Sequence, residues 1–466
     1  MKPRSLAILS LAMLAVSCPA AERRPNVILI MADDLGYQDL GCYGHPSIRT
    51  PALDKLASGG IRLTDFHSGA TVCTPSRMAL LTGAYPVRVG WTRGVVGFKM
   101  GWHDGMSPDA LTIAEIFQSE GYATAISGKW HIGDQPDTRP PNQGFGRAYY
   151  LTHSNNQSKE VWRGDKVVEN SFENRMLSEK FTTEAIRFIR EHKDQPFFLY
   201  LPYTAPHFPV QPHPEWKGRS KFGDYGDVVE ELDFRIGELI DTLKQLEIDK
   251  HTIIVFTSDN GPNPNEPSSP LPFRGEKWSA LEGGTRVPCI VSWPGVIPAG
   301  QVSDALVSAM DLLPSLSRAC GIDWKVKSQG KPKIDGIDVW DTLLGKDNTN
   351  PRDQLLYWHG MDPEPQAIRS GESKLFFDRR NAVEGLGTKR ATPKQEEKIK
   401  PYREALIADT ANPPILFHLN NDPGETLDVS GEFPNEVKTL GDRAEGVMAG
   451  IKANGILPVH TPRKGK

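Results

Sequence analysis

The sequence predicts an α/β protein: a central mixed, mostly parallel sheet flanked by helices, with a smaller C-terminal α+β subdomain. Three observations carry this. Continuous apolar runs of strand length recur at 26–32, 197–201 and 252–257, as expected of strands buried on both faces of a parallel sheet. Segments of helical periodicity alternate with them, which is the grammar of an α/β domain. The 466 residues also exceed what one core holds, since single cores stop growing near about 250–300 residues.

The run 26–32 ends in Asp33-Asp34-Leu35-Gly36. Adjacent carboxylates there form a turn or a helix cap, or, because they repel, flank a cation. In open α/β sheets the strand ends are where ligands bind. Thr50 and Pro51 predict a helix over 50–58, with Thr50 as N-cap and Pro51 in the first turn. A strand over 61–66 leads to Cys73-Thr74-Pro75-Ser76-Arg77. Proline suits the first helical position, which puts Cys73 just before a helix N-terminus, where the dipole and free N–H groups favour an oxyanion or a thiolate.

Residues 87–108 are rich in Gly and Trp without periodicity. Loops of that length are usually functional or disordered. Trp91, Trp102, His103 and Asp104 there either face a substrate or pack beneath the loop. A helix at 113–118 precedes a strand at 122–127 that delivers Gly128-Lys129-Trp130-His131-Ile132-Gly133. Lys129 and His131, two apart in extended chain, point the same way.

Phe181, Ala185, Phe188 and Ile189 mark a helix over 177–192, and the strand at 197–201 runs on to His207. Leu232, Ile236, Leu239, Ile240 and Leu243 make 227–246 an amphipathic helix. The strand 252–257 then ends in Ser258-Asp259-Asn260-Gly261. A Pro- and Ser-rich loop, 262–272, reaches Phe273-Arg274-Gly275-Glu276-Lys277, followed by an apolar stretch at 287–293 and a helix near 312–319. From about residue 350 the segments are short and strand-like, at 354–358, 367–369, 373–377 and 415–419, with a charged spacer at 392–400. A turn cluster, Asn420 to Thr426, and a helix over 436–451 complete the chain.

A net charge of −4 with scattered charges excludes a nucleic-acid partner. The basic end, Arg463 to Lys466, reads as a solvated tail. Residues 1–21 read as a signal peptide: Lys2 and Arg4, an apolar run from Leu6 to Val16, then small residues. The run is shorter than the about 20 residues a membrane span needs, so export to the periplasm or the medium is expected, with no transmembrane segment. Cys18 after Leu14-Ala15-Val16-Ser17 loosely resembles a bacterial lipoprotein box, which makes a lipid anchor at Cys18 the alternative to simple cleavage. Cys42, Cys73, Cys289 and Cys320 remain in the mature chain, too few for a disulfide framework.

Cys73-x-Pro75-Ser76-Arg77 followed by Leu80 and Thr82-Gly83, then Gly128-Lys129-Trp130-His131-x-Gly133, resembles the type I sulfatases of the alkaline phosphatase superfamily. The arylsulfatase A-like and N-acetylgalactosamine-6-sulfatase-like members are the most similar, and the turn cluster 420–426 extends the resemblance to the C-terminal part. It implies a sulfatase catalytic domain over 22–349 and a C-terminal subdomain over 350–466 with a small antiparallel sheet and terminal helix.

The resemblance further implies that Cys73 is oxidised to formylglycine by a formylglycine-generating enzyme during maturation. Two hydroxyls on the hydrated aldehyde carbon then do what a serine cannot: one attacks sulfur, the other expels sulfate. His131 would deprotonate the second hydroxyl, with Arg77 and Lys129 stabilising the hydrate oxygen. His207 and Lys277 would bind sulfate, and one of them, His207 ahead of Lys277, would protonate the leaving oxygen. Asp33, Asp34, Asp259 and Asn260 supply hard oxygen donors, which suits Ca²⁺, or Mg²⁺, with the modified Cys73 as a further ligand.

Substrates expected from this are a sulfated sugar or an aryl sulfate; His153, Asn155, Asn156 and Trp162 look exposed and suit sugar rings. Two other readings stand beside it. Formylglycine-dependent phosphodiesterases or phosphonate monoester hydrolases share the superfamily, though its zinc-dependent members carry His where Asn260 stands. A catalytically inactive protein that binds sulfated glycans, with Cys73 unmodified, is the other.

Overall fold

The computed structural model describes residues 24–346, 351–361, 363–379, 382, 397 and 413–455. The signal peptide with Cys18, the basic tail and the charged spacer apart from Glu397 lie outside these residues. Among the described residues, no helix is long and apolar enough to cross a membrane.

The strands that position the rest are β1 (Asn26–Ala32), β2 (Ile61–Leu63), β3 (Ala123–Lys129), β4 (Arg147–Leu151), β5 (Val161–Arg163), β6 (Lys166–Glu169), β7 (Phe197–Pro202), β8 (Thr252–Ser258), β9 (Cys289–Ser292) and β10 (Gln301–Ser303). They form one sheet in the order β10-β2-β9-β8-β1-β7-β3-β4-β5-β6. The central run β8-β1-β7-β3-β4 is parallel, and antiparallel pairings appear toward both edges. The mixed, mostly parallel sheet is as expected. Strands β4 to β6 fill a stretch in which no strand was expected, and the strand expected over 61–66 is interrupted, ending at Leu63 and resuming at Phe66–His67.

Every residue of β1, β7 and β8 is buried, because both faces are covered. Alternate β1 side chains enter two separate cores: Val27, Leu29 and Met31 face one, Ile28, Ile30 and Ala32 the other. The second core is closed by helices α1 (Pro51–Ser58), α4 (Leu177–Glu191) and α5 (Gly223–Gln245). The first is closed by α2 (Cys73–Thr82), α3 (Ile113–Ser119) and α6 (Leu312–Ala319), and by the C-terminal elements.

Two helix starts differ from expectation. Thr50 occupies the N-cap position of α1, but its hydroxyl accepts from Gly41 N–H (2.8 Å) and donates to Asp54. The free N–H groups of Ala52 and Leu53 are taken instead by the Asp233 carboxylate of α5, at 3.0 and 2.8 Å. Helix α2 begins at Cys73 itself, with Val72 as N-cap and Pro75 third in the helix. None of the first-turn N–H groups has an intrahelical partner, so a proline is tolerated anywhere in that turn.

The C-terminal part contains an antiparallel sheet, β11 (Leu355–Tyr357), β12 (Ala367–Ser370), β13 (Ser373–Phe376) and β14 (Ile415–His418), and helix α7 (Pro434–Ala453). It shares the first core with α2 and is tied down by buried charge. Lys374 of β13 reaches Glu282 and Glu425, both at 2.9 Å. Arg369 of β12 pairs with Asp65 at 2.5 Å and with Glu282 at 3.3 Å. His67 Nε2 lies 2.9 Å from Asp65, and Arg286 lies 3.2 Å from Glu282 at the cluster's edge. Glu425, from the predicted turn cluster, is fully buried and accepts from Glu282 N–H at 2.6 Å.

Candidate active site

Four neighbouring parallel strands, β8, β1, β7 and β3, release their chains on one edge of the sheet, and the predicted site residues follow their C-terminal ends. β1 delivers Asp33 and Asp34, β3 ends on Lys129 with His131 beyond it, His207 follows β7, and Asp259 and Asn260 follow β8. Asp34 (φ 66°) and His131 (φ 60°) both take the left-handed conformation. That conformation is uncommon outside glycine and recurs at functional turns. Gly128 of the second motif stands where a Cβ would lie 1.9 Å from Pro202 O, so β3 and β7 can approach only with glycine there.

Around Cys73 the side chains interlock. Its sulfur lies 3.5 Å from Asp33 Oδ1 and 3.4 Å from Lys277 Nζ. Lys129 donates to Asp33 at 2.6 Å, and Lys277 donates to both oxygens of Asp34 at 2.6 and 2.9 Å. Arg77, fully buried, donates twice to Asp259 Oδ2, at 3.0 and 2.8 Å, and once to Lys129 O. His207 Nε2 stands 3.7 Å from Asp34. All ten predicted site residues are buried; nine belong to this network, Asn260 through Asp34, whereas the His131 side chain bonds outside it, to Val96 O.

The electrostatics follow from burial and from three cations facing three carboxylates. Burial would raise Asp33, but Lys129, His207, Arg77 and Lys277 hold it well below the carboxylate range. Burial and repulsion from Asp33 push Asp259 up to about 6. Burial lowers His207 to about 4 despite Asp33 and Asp34. His131 is held well below its ordinary value by burial, Lys129, His153 and Arg77, so it is neutral. Its Nε2 lies 3.1 Å from the Val96 carbonyl, which can only accept, so Nε2 carries the proton and Nδ1 keeps a lone pair. Nδ1 is buried and has no hydrogen-bond partner.

Cys73 departs from expectation. Its place at a helix N-terminus was expected to favour a thiolate, yet burial pushes the thiol up to about 12 against the pull of Lys129 and Lys277. Desolvation, together with repulsion from Asp259 and Asp33, outweighs the pull of the two lysines. Cys42, Cys289 and Cys320 are also free thiols.

The donor set was tested for a hard cation. Asp33, Asp34, Cys73 and His207 each present one ligand atom within 4.8 Å of one another. Asp259, expected as a ligand, turns Oδ2 to Arg77 and Oδ1 to Asp34 N–H. Asn260 donates to Asp34 Oδ1 at 2.7 Å and to Gly261 O, and its Oδ1 is buried without a partner. Exchanging the amide's O and N is an assignment open at Asn, and it would set two oxygens face to face, an arrangement that a cation between them favours. The residues fit Ca²⁺ or Mg²⁺. A second group, Asp65, His67 and Glu282, also places ligand atoms within 4.8 Å; Arg369, Arg286 and Lys374 engage its carboxylates, as Lys129 and Lys277 engage Asp33 and Asp34.

The structure adds residues that sequence reasoning missed. Trp278, at φ 75°, packs with Val72 and Val95 around Cys73. Thr74 Oγ1 donates to His131 O at 2.7 Å and accepts from Val96 N–H at 3.1 Å, fastening the 87–108 loop to α2. Adjacency to Cys73 and Lys277 was the only signal for Thr74 and Trp278, and the Val96 carbonyl had none. Of the loop residues, Trp91 is buried with its indole N–H on Gly94 O, whereas Trp102 and His103 are exposed. His153 and Asn155 are buried, not exposed as expected, Asn156 is exposed, and Trp162 is half-buried beneath Arg139.

A family model described as Sulfatase matches residues 25–322. The chain belongs to the sulfatase family. This sulfatase is 34% identical to arylsulfatase A of Homo sapiens over 478 residues, spanning 94% of this chain and 89% of that one. It is 33% identical to N-acetylgalactosamine-6-sulfatase of Mus musculus over 455 residues, spanning 91% and 85%. Among solved structures, PsFucS1 sulfatase from Pseudoalteromonas sp. superposes with a TM-score of 0.80 at 28% identity, over 94% of this chain and 92% of that one. The enzyme is a sulfuric ester hydrolase, and its sheet is the alkaline phosphatase-like one that the motifs implied.

Proposed function

We propose that this sulfatase removes sulfate from a sulfated carbohydrate, using formylglycine made from Cys73 and a divalent ion held by Asp33, Asp34, Asp259, Asn260 and the converted residue 73. The observation that carries this is the state of Cys73. A thiol pushed up to about 12 is neither a nucleophile at neutral pH nor a match for a hard cation, yet it lies at the focus of three carboxylates and three cations. Converted to formylglycine by a formylglycine-generating enzyme, residue 73 supplies a hydroxyl nucleophile on a carbon that can release sulfate. A bound Ca²⁺ or Mg²⁺ supplies polarisation of a sulfuryl oxygen.

The chain's own groups do the rest. Arg77 and Lys129 hold the hydroxyl-bearing residue 73 in register, Arg77 through Asp259 and the Lys129 carbonyl. Lys129 and Lys277 offset charge that builds on the sulfuryl oxygens. His131, neutral with an unprotonated Nδ1, takes the proton released when sulfate is expelled. His207 and Lys277 bind the sulfate group, and His207, which takes up a proton on Nε2 once the bound anion offsets the burial that holds it at about 4, delivers that proton to the leaving oxygen, with Lys277 as the alternative donor. Export to the periplasm or the medium, with or without an anchor at Cys18, fits a polymeric carbohydrate substrate.

The test is sulfate release, read by ion chromatography, from a panel of sulfated mono- and oligosaccharides and an aryl sulfate, with conversion of Cys73 verified by peptide mass spectrometry. Release that disappears in Cys73→Ala supports the reading. Turnover of a phosphate diester or a phosphonate in place of every sulfate ester would overturn it. Zinc-dependent phosphoryl transfer lacks support, because Asn260 stands where those enzymes carry His; a formylglycine-dependent phosphodiesterase or phosphonate monoester hydrolase is the alternative that the phosphate arm of this test decides.

A further inference from the structure

We infer that the cleft beside His207 is a subsite for the sugar units flanking the sulfated one, so that the substrate is an anionic oligosaccharide or polymer and not an isolated sulfated unit. This rests on the carbohydrate reading above.

The cleft has a volume of about 1190 Å³. Pockets for small ligands span roughly 300–1,000 Å³, so an aryl sulfate or one sugar would leave most of it unused. Its lining also connects to both histidines of the active site. Phe208 forms part of the wall, stacks on the His207 ring at 4.6 Å and offers its carbonyl to His207 Nδ1 at 2.7 Å. Gln157, on the opposite side of the sequence, donates to the same Val96 carbonyl that holds His131 Nε2. None of the ten site residues lines the cleft itself; Phe208 makes it the immediate neighbour of His207.

The wall is built to keep its shape. Asn155 donates to Asn174 at 2.6 Å and to Phe208 O at 3.3 Å, while Asn174 donates to Pro209 O at 2.8 Å. This fixes the backbone that carries His207 against the loop 154–159, so ordering costs on binding are low.

What the cleft presents suits sugars. Phe208 is 39% exposed and gives an apolar face for a ring; outside the lining, Trp102, 51% exposed, stands edge-on to His153 at 5.3 Å. Exposed Asn156 and Gln211 offer amide donors and acceptors for ring hydroxyls. The charges lean positive: Glu173 pairs with Arg175 and Asp224 with Lys217, whereas Lys159 has no ion-pair partner among the described residues. An ammonium so placed favours a second sulfate or a carboxylate on a neighbouring unit.

The experiment compares a chain-length series of sulfated saccharides, from monosaccharide to tetrasaccharide, with nitrophenyl sulfate, using enzyme whose Cys73 conversion is verified. The wild type is expected to show kcat/KM rising at least tenfold from the monosaccharide to the tetrasaccharide. In the double variant Lys159→Ala, Gln211→Ala the ratio of kcat/KM for tetrasaccharide to that for nitrophenyl sulfate is expected to fall tenfold or more. A monosaccharide turned over as fast as the tetrasaccharide overturns the subsite, as does a double variant that lowers both substrates equally. Hydrolysis of nitrophenyl sulfate with none from any saccharide overturns the subsite and leaves the sulfatase chemistry standing. No sulfate release from any member overturns both.

Discussion

Two clusters of charge lie buried in this protein, and they differ in one respect. The Asp65–Glu282–Glu425 cluster faces Arg369, Lys374, Arg286 and His67, and each carboxylate is engaged by a cation. Burial alone would raise Asp65 and Glu282, but Arg369 and Lys374 hold both well below their ordinary values. The cluster at the strand ends has equal numbers of carboxylates and cations, and it keeps three buried atoms with no hydrogen-bond partner, His131 Nδ1, Asn260 Oδ1 and Ser76 Oγ, against one in the other, Glu425 Oε1, which Lys374 still approaches to 2.9 Å. Each cluster also contains a carboxylate that burial raises: Asp259 here, to about 6, and Glu425 there. Leaving a buried polar group unsatisfied costs about 1–3 kcal/mol. Buried charge as such marks structure, whereas buried charge with unfilled valence at the end of a parallel sheet marks chemistry.

The contrast can be broken most severely at residue 73. Cys73→Ala is expected to abolish sulfate release by about 10⁴-fold or more, the scale on which nucleophiles are lost, with an unchanged circular dichroism spectrum and melting temperature. Retained turnover would detach the chemistry from this cluster. Next comes the cation. Chelation is expected to remove activity, and Ca²⁺ or Mg²⁺ at about 100 times its Kd should restore it and add about 2.7 kcal/mol of stability. In Asn260→Ala the thermal shift should shrink, while in Glu282→Gln it should persist; equal shifts in both would place the ion elsewhere.

Glu282→Ala tests the other cluster. Removing one partner from a buried pair costs about 3–5 kcal/mol, which should lower the melting temperature strongly, with kcat per folded molecule within about threefold of wild type. A large fall in kcat would mean that the two clusters are not separable. Acid sensitivity should follow the same division. Because Asp65 and Glu282 are depressed in the folded state, their contribution is present above their ordinary values of 3.8 and 4.5 and is lost as pH falls through the depressed ones. Urea midpoints between pH 5 and pH 2.5 should therefore decline less steeply in Glu282→Gln than in wild type. The smallest difference expected is one of leaving groups. His207→Ala should slow a sugar sulfate about 10²-fold or more and nitrophenyl sulfate less, since a good leaving group needs no proton. Equal slowing would transfer the donor role to Lys277.

How far the sequence could be read follows from the same physics. β1, β7 and β8 were legible because strands buried on both faces must be apolar throughout, and the groups at their ends stood out as the first polar residues after each run. β5 and β6 were not: Val161–Arg163 and Lys166–Glu169 are short, partly exposed and half charged. The cap of α1 was misread because the local signal, Thr50, is spent on Gly41 and Asp54 while the working carboxylate comes from 181 and 180 residues away. The pairs of Glu282 with Arg369 and Lys374 are likewise long-range, and no spacing rule reaches them. The Val96 carbonyl that sets the His131 tautomer carries no side-chain code at all.

The enclosure of Cys73 by Val95 and Trp278 has a consequence in time. β1, whose end forms the floor beneath that sulfur, pairs with β7 and β8, and those strands are made more than a hundred residues after Cys73. Lys277 and Trp278 come later still. A chain emerging from its N-terminus therefore carries this thiol in the open until the last of these segments docks, and any reagent too large to pass the finished walls has that interval, and no other, in which to reach it.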